Sequence, residues 1–461
     1  MRRGALALVG LLLVAAGLGI VLRADDGLVR ERAVVGAAIP VEVVRPAGDG
    51  PFPAVVVAHG FSGSSRLMDG IGMALARAGW VAAMPDLSGH GGNLAGLDAA
   101  VLSDEVLAVA DWLDGRPDVT DLALLGHSMG AGAVTRAAAL EPGRPVVALS
   151  LPDAGDLDDG LTALFLVGSA EPARFGQAAQ QAADRGYATE TISGAEHISI
   201  LFRTQTLQAS VEWLDAAVGR TSGQVGADWR MLGVGLAYLG SAVLFWPLSA
   251  WAVRARVDGV RGRGPRVARW LVVPLAGLAA GGVLALLPAL GEVVPLLVGG
   301  YLAAFFALTG AAGLLLARRW ERPFAVAVVP GLGMGLYAAL ALGVPAQLAW
   351  AQVSLAGPRA VAFVALAVGV GVYAWAELLV AHGYWFVLAT RLTLSALLAV
   401  LAVLGWAPGF LLLLVPLVVV MLAWLGAYGV RIAWLTGSPM AGAAAQAPAL
   451  ALLVAITTPL A

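Results

Sequence analysis

The chain contains no cysteine, which excludes disulfides, thiolate metal sites and a cysteine nucleophile. Lysine is also absent, so arginine supplies every cation. Charge of either sign is scarce: 13% of the 461 residues are charged and 59% are hydrophobic, and a mean hydropathy of +0.84 points to a membrane protein. The little charge present is unevenly spread. Up to residue 230 there are roughly 26 acidic and 16 basic side chains, and beyond it about 4 and 12. An acidic front of roughly 230 residues is long enough for one globular domain with a full core. The back is sparsely charged and basic.

Arg2 and Arg3 precede an apolar run of about 19 residues, "GALALVGLLLVAAGLGIVL". That length suits a signal anchor better than a cleavable signal peptide, whose core runs about 7–15 residues. In either case the basic end stays in the cytoplasm and the chain beyond the apolar run is exported.

Residues 33–217 alternate short β-branched runs with helical stretches, the pattern of a mostly parallel sheet covered by helices on both faces. Strands are predicted at 41–45, 54–58, 80–84, 122–125, 146–150, 163–167 and 187–192, and helices at 65–78, 98–114, 129–140, 173–185 and 198–217. No connection has room for a lid domain, since 151–162 merely joins two strands.

From Trp229 onward the pattern becomes apolar blocks long enough to span a bilayer, at 229–253, 270–290, 293–317, 323–343, 360–381, 389–406 and 409–430. An eighth, at 441–460, is Ala-rich and carries Gln446 and Pro448, so the count is seven or eight. Arginines follow every odd-numbered block: Arg254, Arg256, Arg261, Arg263, Arg266 and Arg269; Arg318, Arg319 and Arg322; Arg391; and Arg431. Only Arg359 falls on the other side, so the positive-inside rule puts residues 24–228 outside the cytoplasm. About 11 of the 14 tryptophans lie at or after Trp229, many near block ends as interfacial anchors do.

One stretch belongs to soluble catalysis. Gly126-His127-Ser128-Met129-Gly130 matches G-x-S-x-G, a weak pattern by itself in so Gly-rich a chain. Its context is stronger, because the strand "LALL" runs straight into it and the small-residue helix "AGAVTRAAA" leaves. A strand-turn-helix of this kind holds a serine exposed on a strained turn, where a Cβ at either glycine would strike adjoining backbone. "VVVAHGFSGSS" ends an earlier strand, where the Phe61 amide joins that of Met129 as a candidate pair of oxyanion donors. "LFLVGSAEP" places Glu171 three residues after Gly168, and "ISGAEHISI" puts His197 on the loop before the last helix.

With these motifs, residues 33–217 resemble an α/β-hydrolase and are most similar to the small lidless esterases of the dienelactone-hydrolase type. "DLSGHGGN" at 86–93 resembles a loop of that family, and the chain order Ser128, Glu171, His197 matches the family's nucleophile, acid, histidine. The resemblance implies acyl transfer in two steps, with Ser128 as nucleophile, His197 as general base and acid, and Glu171 orienting the imidazole. Glu in place of the commoner Asp is the departure. Asp153, after the preceding strand, is the competing acid.

Blander readings accompany each residue. Ser128 is also a possible helix N-cap, His197 a satisfied loop histidine and Glu171-Pro172 a helix start. His59, His90 and His127 are expected to brace loops rather than catalyse, and neither His59/His90 nor Asp86/His90 makes a metal cluster. In the apolar half, Asp258, Glu292 and Glu321 fall in predicted loops. Glu377 lies inside a block five residues from His382, and snorkelling to the cytoplasmic interface is expected of it. "PGLGMG" at 330–335 is not a phosphate loop, since no strand precedes it and no lysine follows; close helix packing or a kink is expected. Prolines 274, 295, 330, 345 and 416 mark kinks or block ends.

The expected architecture is thus a signal-anchor helix at 1–24, an α/β domain with a doubly wound, mostly parallel sheet and no lid at 33–218, and an all-α transmembrane bundle of seven or eight helices at 229–461. The expected function is a membrane-anchored extracytoplasmic serine hydrolase acting on an ester-type small molecule or lipid-linked substrate among membrane lipids. No cofactor, metal or nucleic acid is expected, and nothing in the sequence fixes an oligomeric state. Two rivals stand beside it: an acyltransferase using the same serine, and an inactive binding domain on a transporter or sensor bundle.

Overall fold

The structure is a computed structural model that describes residues 2–36, 38–155, 157–221, 223–253, 266–317, 325–381 and 383–461. Arg254, Arg256, Asp258, Arg261, Arg263, Arg318, Arg319, Glu321, Arg322 and His382, all used in the sequence reading, lie outside the described residues. The chain divides into two compact units, one of Ala16–Gly235 with Ala346–Ser354, the other of Met1–Ala15, Leu236–Pro345 and Leu355–Ala461.

In the first unit eight strands form one sheet: β1 (Leu28–Val35), β2 (Ile39–Pro46), β3 (Phe52–Ala58), β4 (Val81–Pro85), β5 (Val119–His127), β6 (Val146–Leu149), β7 (Ala163–Gly168) and β8 (Ala188–Ile192), in the order β1-β2-β4-β3-β5-β6-β7-β8. β2 pairs antiparallel with β1 and β4, and every pairing from β4 through β3 to β8 is parallel. Both faces are covered, so the central strands are continuous apolar runs whose alternate residues enter different cores. Ala54, Val56, Leu122, Leu124, Val146 and Ala148 point to one core. Val55, Val57, Ala123, Leu125, Val147 and Leu149 point to the other.

After α1 (Arg2–Leu22), the helices of this unit are α2 (Asp69–Arg77), α3 (Leu102–Asp114), α4 (Met129–Leu140), α5 (Ala173–Asp184) and α6 (Thr204–Ala217). α3, α4 and α5 pack on the first face, α2 and α6 on the second. This is the α/β-hydrolase arrangement expected from the sequence. Two corrections apply to the element limits. The predicted helices at 65–78 and 198–217 each open with a separate 3-10 turn, Ser65–Met68 and Ser199–Phe202. The sheet also has an eighth strand: β1 carries Arg30, Glu31 and Arg32, which blunt an edge but hide the strand from an apolar pattern.

The second unit is helical. Its helices are α7 (Arg230–Ala252), α8 (Arg266–Leu286), α9 (Leu297–Ala317), α10 (Ala325–Ala349), α11 (Pro358–Val380), α12 (Tyr384–Val403), α13 (Leu411–Thr436), α14 (Pro439–Ala444) and α15 (Ala447–Thr457), with the first turns of α7 and the end of α10 counted in the other unit. Among the described residues, eight helices, α1 included, are long and apolar enough to cross a membrane. Small residues let backbones touch: a Cβ at Gly10 would lie 2.9 Å from the Gly240 carbonyl oxygen, and one at Gly240 2.7 Å from that of Gly10. The "PGLGMG" segment is continuous helix within α10, where a Cβ at Gly331 or Gly335 would come within 2.3 or 2.2 Å of the Ala441 or Ala444 carbonyl. The last apolar block is broken at Gln446, between α14 and α15.

Glu377 does not snorkel. It is fully buried, and its carboxylate accepts from Arg391 Nη2 at 2.6 Å, Thr390 Oγ1 at 2.9 Å and Tyr373 OH at 3.0 Å. Arg391 donates onward to the Leu422 carbonyl at 2.6 Å and to Gln446 Oε1 at 2.7 Å, which accounts for the polar residue at the helix break. The physical reason is that α12 follows α11 after a short connection at 381–383, so Arg391 reaches back to residue 377 and both charges are satisfied internally. Arg391 therefore drops out of the flanking arginines on which the expected orientation rests. Arg359 is buried as well, donating to the Ala455 and Thr458 carbonyls from the first turn of α11.

Candidate active site

The candidate site lies at the carboxyl ends of the parallel strands, where the strand order reverses around β3 and β5 and loops diverge to leave a crevice. β5 ends at His127 and α4 begins at Met129, leaving Ser128 alone in the turn with φ 54° and ψ −114°. A non-glycine residue in that region is strained and needs close packing on both sides. The packing is there: a Cβ at Gly126 would lie 2.2 Å from the Gly130 carbonyl oxygen, and one at Gly130 2.4 Å from that of Ala58. Both glycines of the motif are thus demanded by backbone contact, as the sequence reading expects. Ser128 is no ordinary N-cap, since its side chain makes no capping bond to α4.

Ser128 Oγ instead donates to His197 Nε2 at 3.1 Å. His197 Nδ1–H donates to Glu171 Oε2 at 2.8 Å. The other carboxylate oxygen, Oε1, accepts from the Gly168 amide and from Ser150 Oγ, each at 2.7 Å. The Glu171 side chain is 1% exposed, so every donor it receives acts outside bulk water and holds one rotamer. Asp153, the competing acid, is exposed and turned back on its own loop, where Oδ1 accepts the Gly155 amide at 2.8 Å. The structure brings Glu171 to His197 and leaves Asp153 out.

Of the two candidate oxyanion donors, Phe61 follows Gly60 and Met129 follows Ser128. Gly60 is pressed so near that a Cβ there would lie 3.2 Å from Ser128 Cβ. Met129 opens α4, where an amide has no carbonyl partner within the helix and the dipole favours negative charge.

The remaining histidines brace, as expected. His59 Nε2 accepts the Leu87 amide at 3.1 Å while Nδ1–H donates to its neighbour's carbonyl, that of Gly60, at 2.9 Å, and complete burial pushes its pKa down. His90 Nδ1–H donates to the Ser88 carbonyl at 2.9 Å. Asp86 accepts the Ser65 and Gly92 amides, both at 2.7 Å. Among the described residues no three His, Asp or Glu side chains gather as a metal would need.

Sequence reasoning missed two residues that touch the Glu171 and His197 side chains. Ser150, with φ 53°, ends β6 and reaches Glu171; its signal was a polar residue closing the apolar run "VVAL". Phe175, buried on α5, stacks on the His197 ring with centroids 4.4 Å apart and planes at 28°, fixing the imidazole plane. A groove of about 400 Å³ lies nearby, between α5 and the ends of β7 and β8, lined by Ser169, Glu171, Gly176, Gln180 and Thr191. It does not include Ser128 or His197, so it is not where a scissile carbonyl would meet the nucleophile.

Comparison with known proteins finds likenesses in this region. Residues 49–152 match the family described as "Hydrolase_4: Serine aminopeptidase, S33". No curated protein matches the chain. Similar solved structures include a CIB-like hydrolase from Thermoplasma acidophilum, 17% identical, covering 41% of this chain and 99% of its own, with TM-score 0.35. A dienelactone hydrolase from Anabaena variabilis is 21% identical over 41% of this chain and 97% of its own, with TM-score 0.34. Est1E from Butyrivibrio proteoclasticus is 20% identical over 41% of this chain and 99% of its own, with TM-score 0.35.

Proposed function

We propose that the chain is a membrane-anchored serine hydrolase that cleaves carboxylic esters on the outer side of the membrane. The reading rests above all on one observation: an unbroken run of hydrogen bonds from a buried carboxylate through an imidazole to a serine held on a strained strand-to-helix turn.

That run of bonds supplies the chemistry. As Ser128 Oγ bonds to the ester carbonyl carbon, its proton passes to His197 Nε2, and the carbonyl electrons move onto oxygen, facing the amides of Phe61 and Met129. Glu171 stabilises the imidazolium through Nδ1–H and stays ionised. The tetrahedral adduct collapses, the C–O bond to the alcohol breaks, and His197 returns the proton to the leaving oxygen. Water then repeats the sequence on the acyl-serine and frees the carboxylic acid.

The outward orientation is supported by Arg2 and Arg3 at the start of α1 and by the arginine-rich sequence after the first and third apolar blocks. Tethering would concentrate the site around esters at the membrane surface, small or lipid-linked. A membrane-impermeant fluorophosphonate applied to intact cells tests both parts. Wild type should label and Ser128→Ala should not. An unlabelled wild type after lysis refutes the serine hydrolase, and labelling only after lysis refutes the orientation.

A further inference from the structure

The run from Glu171 to Ser128 leaves one buried titratable group beside it unused. His127 ends β5, is 2% exposed, and its Nε2–H donates to the backbone carbonyl of His197 at 2.9 Å. A carbonyl only accepts, so this bond fixes the proton on Nε2 and leaves Nδ1 as a lone pair. Nδ1 has no hydrogen-bond partner and faces the loop after β3, where a Cβ at Gly60 would lie 2.9 Å away. The two imidazole rings lie with centroids 4.8 Å apart. One side chain therefore touches the nucleophile's strand, the loop bearing the Phe61 amide and the loop bearing His197, three segments distant in sequence.

On this basis, and resting on the reading of Ser128, His197 and Glu171 as a triad, we propose that His127 is a positioning residue that sets the distance between nucleophile and base. Within the His197 loop the Ile198 and Ser199 amides donate to the Glu196 carboxylate, while the Gly194 amide and the Ala195 carbonyl bind Ser169 and Ala170 beyond β7. The tie from the β5 side is His127. His127 links the middle of this loop to the sheet, through the residue next to Ser128. A displacement of about 1 Å between reacting groups costs about 100-fold in rate, so a brace at this point governs the chemical step and not substrate binding. Burial, and the neighbouring His197, also push the His127 pKa down to about 3. His127 thus remains neutral while His197 carries its transient charge, and no second cation opposes it.

Two amide substitutions in the full-length, detergent-solubilised protein test the proposal. A glutamine's amide nitrogen hangs at the same reach from Cα as imidazole Nε2, whereas an asparagine's hangs at that of Nδ1. Both are polar and neutral, so their effects on folding are matched, and melting temperatures check this. With p-nitrophenyl acetate as the reporter ester, His127→Gln should keep kcat within about threefold of wild type, while His127→Asn should lose about 10- to 100-fold in kcat with KM unchanged. Fluorophosphonate labelling rates should follow kcat. Equal kcat in the two variants, or a loss confined to KM, overturns the role of His127. A wild type that neither hydrolyses the reporter nor labels overturns the triad itself, a distinguishable failure.

Discussion

Each unit of this protein holds a carboxylate whose side chain is buried among several donors, and the two, Glu171 and Glu377, are placed differently. Glu171 and Glu377 are 1% and 0% exposed, and both accept hydrogen bonds from several donors. Glu171 meets an imidazole, whose second ring nitrogen passes the interaction on to Ser128. Glu377 meets a guanidinium, and the pair ends on a backbone carbonyl and an amide. Burial among several donors is common to both. What separates a candidate catalytic acid from a structural pin is whether its partner also accepts a hydrogen bond and whether anything reactive lies beyond that partner.

The contrast can be broken experimentally, and the largest effect should come from the unit that holds Glu171. Glu171→Gln keeps the size of the side chain but cannot hold the imidazolium. kcat should fall by about 10³- to 10⁴-fold with little change in melting temperature. A change below tenfold in ester hydrolysis would place the acid elsewhere. The reverse pattern is expected of Glu377→Gln, which leaves Arg391 buried without its counter-charge. Stability should drop by about 3–5 kcal/mol in thermal melts, while turnover per folded molecule stays at the wild-type level. A specific loss of kcat would make Glu377 functional after all.

A smaller effect separates a polar interior that titrates from one that does not. Folded His127 is held near 3, and its ordinary value in the unfolded chain is 6.5. Between those values the unfolded state binds a proton that the folded state refuses, so this stability is intact above 6.5 and lost as pH falls. Lowering the pH from 7 to 5 should cost the hydrolase unit about 2 kcal/mol through His127, a slope that His127→Gln removes. Denaturant titrations at the two pH values measure it. The smallest effect is expected of Asp153→Asn: the residue is exposed and serves only its own turn, so kcat should change less than about twofold and stability by less than about 0.5 kcal/mol.

The sequence already determined what short-range physics can write. Apolar runs with β-branched residues mark strands buried on both faces, and blocks of about 20 apolar residues mark helices for a lipid environment. A serine flanked by glycines between a strand and a helix marks a turn on which only small neighbours fit, and φ 54° at Ser128 is that turn realised. Ser128, Glu171 and His197 were legible because each closes a strand-to-loop transition in the expected chain order. The edge strand β1 was not, because alternating charges on an exposed edge look like loop.

Tertiary structure alone decided who meets whom. The sequence left Glu171 and Asp153 both available to His197, and only the folding back of the loop after β7 chose between them. It gave no sign that Ser150, Phe175 and His127 converge on the triad from three different elements. It made Glu377 and Arg391 look like separate interfacial charges, although the fold places them 2.6 Å apart. Side-chain periodicity is a local property of the backbone, whereas partners lie 14 to 70 residues away in these cases, and only the packing of whole elements brings them within bonding reach.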